Sequence, residues 1–471
     1  MRAFQQNSSS AFSFKSIKVT TYVRQLFWYA YLLMLAFISF ANTPINSTLW
    51  VTIYAFLFLY AGLYCGFISF FDRTRFKGIH ASRFALFWLV LMLLWMCLQQ
   101  VIEGDSYLKE LVFDHSISAD WFRYKGLLSV APERASWVIL GNTAVVTLFV
   151  LTLLLLDTRR RVRELMWLLL FVGLIHASID IFAKYAGLYF VDKVALDGHF
   201  RAARGVFVNR NHLAAFIILC LCPAVVLQTR LLIKNKVDSV QDFFFKQIIQ
   251  WSFLFFLVGF TCVFLAESRA AILSLPGCIG FYFFVLFRRA KVVNSSVKHH
   301  YLTFGLIGLS IIIVLWLGQG MIQRFLVDGL AIGERSLQWS ITLQAIKHEF
   351  FIGYGVGSYE LVFQTFRGYA DLRAAIYDQA HNDYLHILLE QGFIGIFIWF
   401  SFIVSVFCYA AKNYIKTKSS LTCAILFSGL IVVSAVLLQS LVSYPLQIMT
   451  IRSYFFVIIA LIFAVPTVRH R

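Results

Sequence analysis

Long apolar runs, broken by short polar connections, dominate the chain. They lie near 25–42, 48–71, 83–102, 137–156, 165–186, 212–233, 248–266, 270–287, 301–319, 385–411, 420–442 and 447–466. A helix crossing the hydrocarbon of a bilayer needs about 20 apolar residues, so the pattern predicts about twelve transmembrane helices. Strands of a membrane barrel would be about 10 residues long and alternating; these runs are longer and continuous. The first run is long, and the stretch at Phe40, Ala41 and Asn42 lacks a small-x-small cleavage pattern, so it is expected to be a retained anchor. The expected fold is an all-α polytopic membrane protein, a single integral domain over 1–471. A large outer loop at 320–384 separates helices 9 and 10.

Charge supports this count. Basic residues collect in alternate connections, at Arg73, Arg75 and Lys77, at Arg159, Arg160 and Arg161, at Lys234 and Lys236, at Arg288 and Arg289, and at Lys412, Lys416 and Lys418. The N-terminal Arg2, Lys15, Lys18 and Arg24 and the C-terminal Arg469 and Arg471 fall on the same side if there are twelve spans. The positive-inside rule makes that side cytoplasmic, both termini included. The net charge of +18 then reflects topology and contact with anionic lipid. No basic stretch forms a separate soluble module, which argues against nucleic-acid binding.

Composition agrees. Hydrophobic residues make up 60% and charged residues 14%, against about 45–50% and about 25% in soluble chains. A disordered, fibrous or ordinary soluble protein is thereby excluded, as the mean hydropathy of +0.77 also argues. All eight cysteines sit inside apolar runs, so neither a disulfide framework nor a zinc site is suggested, and no metal or cofactor is expected.

A charge at the edge of a bilayer is costly and calls for a partner or a task. Four places on the outer side stand out. Arg204 and then Asn209, Arg210, Asn211 and His212 gather before span six. Such a helix N-terminus suits an anion, and equally suits a cap with snorkelling arginines. Glu267-Ser268-Arg269 forms a very short hairpin that pins Arg269 at the membrane surface. There it is either an interface anchor paired with Glu267 or a planar fork aimed at phosphate. Glu334-Arg335 opens a helix in the large loop, with Leu337, Ile341, Leu343 and Ile346 as its apolar positions.

The fourth place is Gly353-Tyr354-Gly355-Val356-Gly357, followed by Ala380-His381-Asn382-Asp383-Tyr384-Leu385. No βαβ pattern surrounds the glycines, so they make no dinucleotide fingerprint. His381 stands where the loop re-enters the membrane, and imidazole is the side chain best suited to general base work at neutral pH. Asp383 would orient His381 only if the local turn allowed it. His176, Asp180 and Lys184 recur every four residues along span five; the expectation is a structural Asp180–Lys184 pair rather than a proton relay.

These segments, in this order, resemble the O-antigen ligase and polymerase superfamily, most clearly over 200–400. That resemblance implies a glycosyltransferase of a bacterial inner membrane. It would take a glycan from an undecaprenyl-pyrophosphate carrier at the periplasmic face. A ligase passes it to a lipid A–core sugar, a polymerase to another carrier-linked repeat, and relatives pass it to a protein hydroxyl. By motif, Arg269 and Arg335 match the arginines that engage the pyrophosphate, and His381 matches the candidate catalytic histidine. Arg204, Arg210, Asn211 and His212 are expected on the substrate-binding side.

Bottom-up chemistry points the same way. Two fixed cations can neutralise a pyrophosphate leaving group without a metal, and a weak hydroxyl nucleophile needs a base. With no carboxylate pair to form a covalent intermediate, one displacement inverts the anomeric centre. A polysaccharide transporter or flippase is the rival from another class. Against it, the polar residues cluster at the surface rather than the midplane, and no internal repeat is evident.

Overall fold

A computed structural model describes residues 2–71, 77–101, 129–186, 206–207, 209–226, 251–274, 277–278, 334–367 and 377–468. Among the described residues the protein is built from helices and has no β-strand. They are α1 (Arg2–Ile38), α2 (Thr48–Phe71), α3 (Lys77–Ala81), α4 (Arg83–Leu98), α5 (Pro132–Leu155), α6 (Arg159–Ala186) and α7 (Arg210–Cys220). After them come α8 (Trp251–Leu265), α9 (Glu334–His348), α10 (Tyr359–Arg367), α11 (Asp383–Lys416), α12 (Ser420–Gln439) and α13 (Met449–Ala464).

Among the described residues six helices, α2, α5, α6, α11, α12 and α13 with its 3₁₀ extension, are long and apolar enough to cross a membrane. The runs at 212–233 and 248–266 appear as α7 and α8 over their described part. The run at 270–287 is described only in its first residues, and the one at 301–319 lies outside the described residues.

Helix ends follow local chemistry. Pro132 opens α5 with Glu133 in its first turn, where a ring without N–H and a negative charge both suit the orphan donors. Ser419 caps α12 through Thr422 N, and Asn382 caps α11 through Tyr384 N and Leu385 N. The centre of the bundle is α13. Its best apolar window is 94% buried, against 28% for α2, so α13 is a core strut while α2 leaves most of its surface outward. Aromatic packing locks it to α11 and α5: Phe456 stacks on Phe402 at 5.5 Å and meets the edge of Phe149 at 6.4 Å.

The long α11 is broken near its start. Gly392 has φ +64°, and the helix resumes after it. A broken helix frees backbone groups that must find partners at membrane depth. The Gly353–Gly357 segment supplies them: Tyr354 N donates to Leu389 O at 3.1 Å and Gly355 N to Glu390 O at 2.8 Å. From the other side, Gln99 Nε2 donates to Glu390 O at 3.0 Å and Trp95 Nε1 to Gln391 O at 3.0 Å. Gly353 is required here, since a Cβ on it would meet Gly392 N at 2.5 Å. The glycine-rich motif is therefore a backbone splint for the broken span.

At one end of these helices, basic side chains tie turns together. Arg161 donates to Leu155 O at 3.0 Å and Arg24 O at 2.9 Å, and Arg159 reaches Ser419 Oγ at 3.5 Å, tying the α5–α6 and α11–α12 turns to α1. Arg210, His212, Arg335 and His381 lie at the opposite end of these helices.

Candidate active site

Three short connections build that end: the turn between α8 and the helical residues 269–274, the turn into α11, and the turn 440–448 between α12 and α13. The first turn is sharp because Glu267 takes φ +50°. Its carboxylate, 8% exposed, receives Arg210 at 3.8 Å and Lys184 at 4.0 Å. Ser268 Oγ then accepts Ala271 N at 3.4 Å, which starts the next helix with Arg269 in its first turn.

The second turn also rests on a non-glycine residue in the left-handed region. His381 has φ +50°, a conformation that costs energy and persists only when its surroundings hold it. Trp339 Nε1 on α9 donates to Ala380 O at 2.9 Å, immediately before it. Asn382 Nδ2, immediately after it, donates to Leu441 O at 2.9 Å.

The third turn carries a residue the sequence did not mark. Tyr444 stands edge-on to His381, ring centroids 4.8 Å apart, and edge-on to His212 at 4.6 Å. Its hydroxyl hydrogen-bonds with the Asn209 side chain. Asp383, fully buried, accepts Leu446 N at 3.1 Å and donates its own N–H to Ser440 O at 2.9 Å. It holds the Tyr444 turn rather than the His381 ring. Arg335 donates from Nη1 to Val442 O in the same turn.

Arg335 and His381 therefore meet at the Tyr444 turn, and Arg269 lies within electrostatic reach of Arg335. Burial and the like charge of Arg269 both lower the pKa of Arg335. Burial and the charge of Arg335 push His381 down to about 4, which leaves the imidazole neutral at pH 7. His381 Nδ1 is buried with no hydrogen-bond partner among the described residues. Tyr444 has its own hydroxyl pKa raised, chiefly by burial.

A cavity of about 570 Å³ lies beside Tyr444, with Asn209, His212 and Tyr444 in its wall. Arg269, Arg335 and His381 are not among its lining residues. Arg204 lies outside the described residues. Asn211 is used locally, its backbone N–H donating to Asn209 Oδ1 at 2.9 Å in the α7 cap, while Arg210 is turned to Glu267.

The polar row on α6 does not act as one chain of contacts. His176 Nε2 meets Ser39 Oγ at 3.2 Å, Asp180 Oδ2 accepts Cys262 Sγ at 3.5 Å, and Lys184 reaches Glu267. Lys184 is shared: Glu267 lies 4.0 Å from its ammonium, and the expected partner Asp180 acts on it electrostatically as well. Among the described residues no group of three or more His, Cys, Asp or Glu is placed to hold a metal ion.

A search of curated proteins returned no match to the chain. A family model described as O-antigen ligase matches residues 254–400, a span that begins within α8 and ends within α11. It takes in Arg269, Arg335 and His381 and leaves Arg204–His212 and Tyr444 outside. Over residues 254–400, which hold Arg269, Arg335 and His381, the chain is similar to the O-antigen ligase family.

Proposed function

We propose that the chain transfers a glycan from undecaprenyl pyrophosphate to a hydroxyl of a lipid A–core sugar, at the periplasmic face of a bacterial inner membrane. The observation that carries this reading is the meeting of Arg335 with both Arg269 and His381. Two guanidiniums brought together and partly desolvated repel one another, and an anion between them relieves that cost. A pyrophosphate at the membrane surface is such an anion, and the planar forks suit its oxygens.

The chemistry follows from those positions. The acceptor hydroxyl oxygen bonds to the anomeric carbon while the bond from that carbon to the phosphate oxygen breaks. The electron pair leaves on the pyrophosphate, where Arg269 and Arg335 stabilise it. The hydroxyl proton passes to His381, which its surroundings keep neutral and able to accept. Pyrophosphate binding offsets the charge of Arg335, so His381 becomes a stronger base once the donor is in place. A single displacement inverts the anomeric centre, and the two arginines do without a metal what a bound cation does elsewhere.

Surface glycans of a deletion strain carrying wild-type or His381→Ala protein test this. Core lipid without polymer in the variant, with carrier-linked chains accumulating, supports the ligase. Core bearing a single repeat would make the protein a polymerase. An unchanged ladder would overturn the reading.

A further inference from the structure

We propose that the cavity beside Tyr444 holds the acceptor, binding the neutral sugar that carries the attacking hydroxyl; this rests on the assignment of His381 as the base. The pyrophosphate at Arg269 and Arg335 and the sugar then occupy neighbouring sites, with Tyr444 touching His381 and lining the cavity.

Size and charge both favour a sugar. About 570 Å³ lies within the range of about 300–1,000 Å³ seen for small-molecule sites. The cationic groups in its described wall are already engaged. Arg134 pairs with Glu360 at 2.6 Å, and Arg452 donates to Leu446 O, to Asn142 Oδ1 at 3.1 Å and to Gln447 Oε1 at 3.1 Å. Glu390 and Asp378 add carboxylates to the same wall. That is a poor seat for a pyrophosphate and a good one for hydroxyl groups, which donate to carboxylates.

The wall itself is built rather than incidental. His386 Nε2 lies 3.3 Å from Glu390 Oε1, and both residues are 5% exposed. Tyr359 stacks on His386 with centroids 4.9 Å apart, and its backbone N–H donates to Glu390 Oε1 at 3.1 Å. His386 Nδ1 has no hydrogen-bond partner among the described residues, and a buried polar atom of that kind calls for an occupant. Trp137 and Tyr444 supply apolar faces for the C–H side of a sugar ring.

Position completes the case. Gln379, two residues before His381, and Tyr444, in ring contact with His381, both line the cavity. A sugar seated against them places a hydroxyl at the edge of the catalytic cluster.

The test is binding by the full-length protein in lipid nanodiscs, by calorimetry. The probes are the core oligosaccharide released from the host's lipid A–core and, separately, inorganic pyrophosphate. Trp137→Ala and Asp378→Asn change partly exposed groups and leave the His386–Glu390 pair in place; Glu390→Gln probes the pair directly. Each is expected to weaken oligosaccharide binding about tenfold, the effect of losing one charged hydrogen bond or one aromatic face, with pyrophosphate binding unchanged. Failure of the wild type to bind the oligosaccharide overturns the proposal. So does wild-type oligosaccharide affinity in Trp137→Ala and Asp378→Asn, or an equal loss of both probes. Oligosaccharide binding without pyrophosphate binding in the wild type would sink the donor assignment at Arg269 and Arg335 while supporting the sugar site.

Discussion

Tyr444 meets His381 edge-on at 4.8 Å, and the same ring meets His212 at 4.6 Å. It connects a strained residue at the mouth of α11 to the first turn of α7, and its own turn is held by Asp383, Asn382 and Arg335.

Removing that ring should therefore hurt the reaction more than the fold. Tyr444→Ala is expected to lower transfer by about 10²-fold, through loss of His381 positioning, with insertion and yield near wild type. Tyr444→Phe keeps the ring and loses only the hydrogen bond to Asn209, worth about 1 kcal/mol. Transfer assays on membranes carrying matched amounts of each variant compare the two; equal activity of Tyr444→Ala and wild type would rule out the positioning role.

The pH profile should carry the mark of a depressed histidine. His381 must be neutral to accept a proton, and its pKa is lowered to about 4. Its activity is thus present above that value and is lost as pH falls through it. In kcat/KM, which reports the free enzyme, the acid limb is expected near pH 4 rather than near the ordinary imidazole value of about 6.5. Arg335→Gln removes a like charge and should move the limb to higher pH. A limb that stays fixed in that variant would separate Arg335 from His381.

Charge alone should not replace either arginine. Arg269→Lys and Arg335→Lys are each expected to cost about 10²-fold in kcat, because a point charge cannot reproduce a bidentate fork. Kinetics with purified carrier-linked donor measure it. EDTA should leave the wild-type rate unchanged; a loss restored by a divalent cation would contradict the metal-free mechanism.

The break in α11 makes a stability prediction. A Cβ at position 392 would lie 2.3 Å from Phe351 O at a φ of +64°. Gly392→Ala should destabilise the protein by at least about 1–3 kcal/mol from backbone strain alone. Gln99→Leu should cost about 1–3 kcal/mol by stranding the carbonyl of Ile352 and removing one of the two donors to that of Glu390. Thermal unfolding in detergent reads both, and a wild-type midpoint for Gly392→Ala would refute the role of the break.

Much of the architecture was legible along the chain. Apolar runs announced helices because a bilayer demands length and hydrophobicity, and the helix expected around Arg335 is present as α9. Arg269, Arg335 and His381 stood out because polar groups at a membrane edge are costly. The short helix α10 within the loop and the kink at Gly392 were not foreseen. The glycines of 353–357 showed conformational freedom but not the partner they serve, since the carbonyls they satisfy belong to a distant helix.

By itself, the sequence determined the helical, apolar character of the chain and nominated Arg269, Arg335 and His381 as candidates, both of which depend on local composition and spacing. Only the tertiary structure decided that Tyr444 stands between His212 and His381, that Glu267 comes within 4.0 Å of Lys184, and that Asp383 holds a turn instead of a histidine. Each of these is a choice among polar partners far apart in the chain. It is settled by which groups packing brings within hydrogen-bond reach once water is excluded.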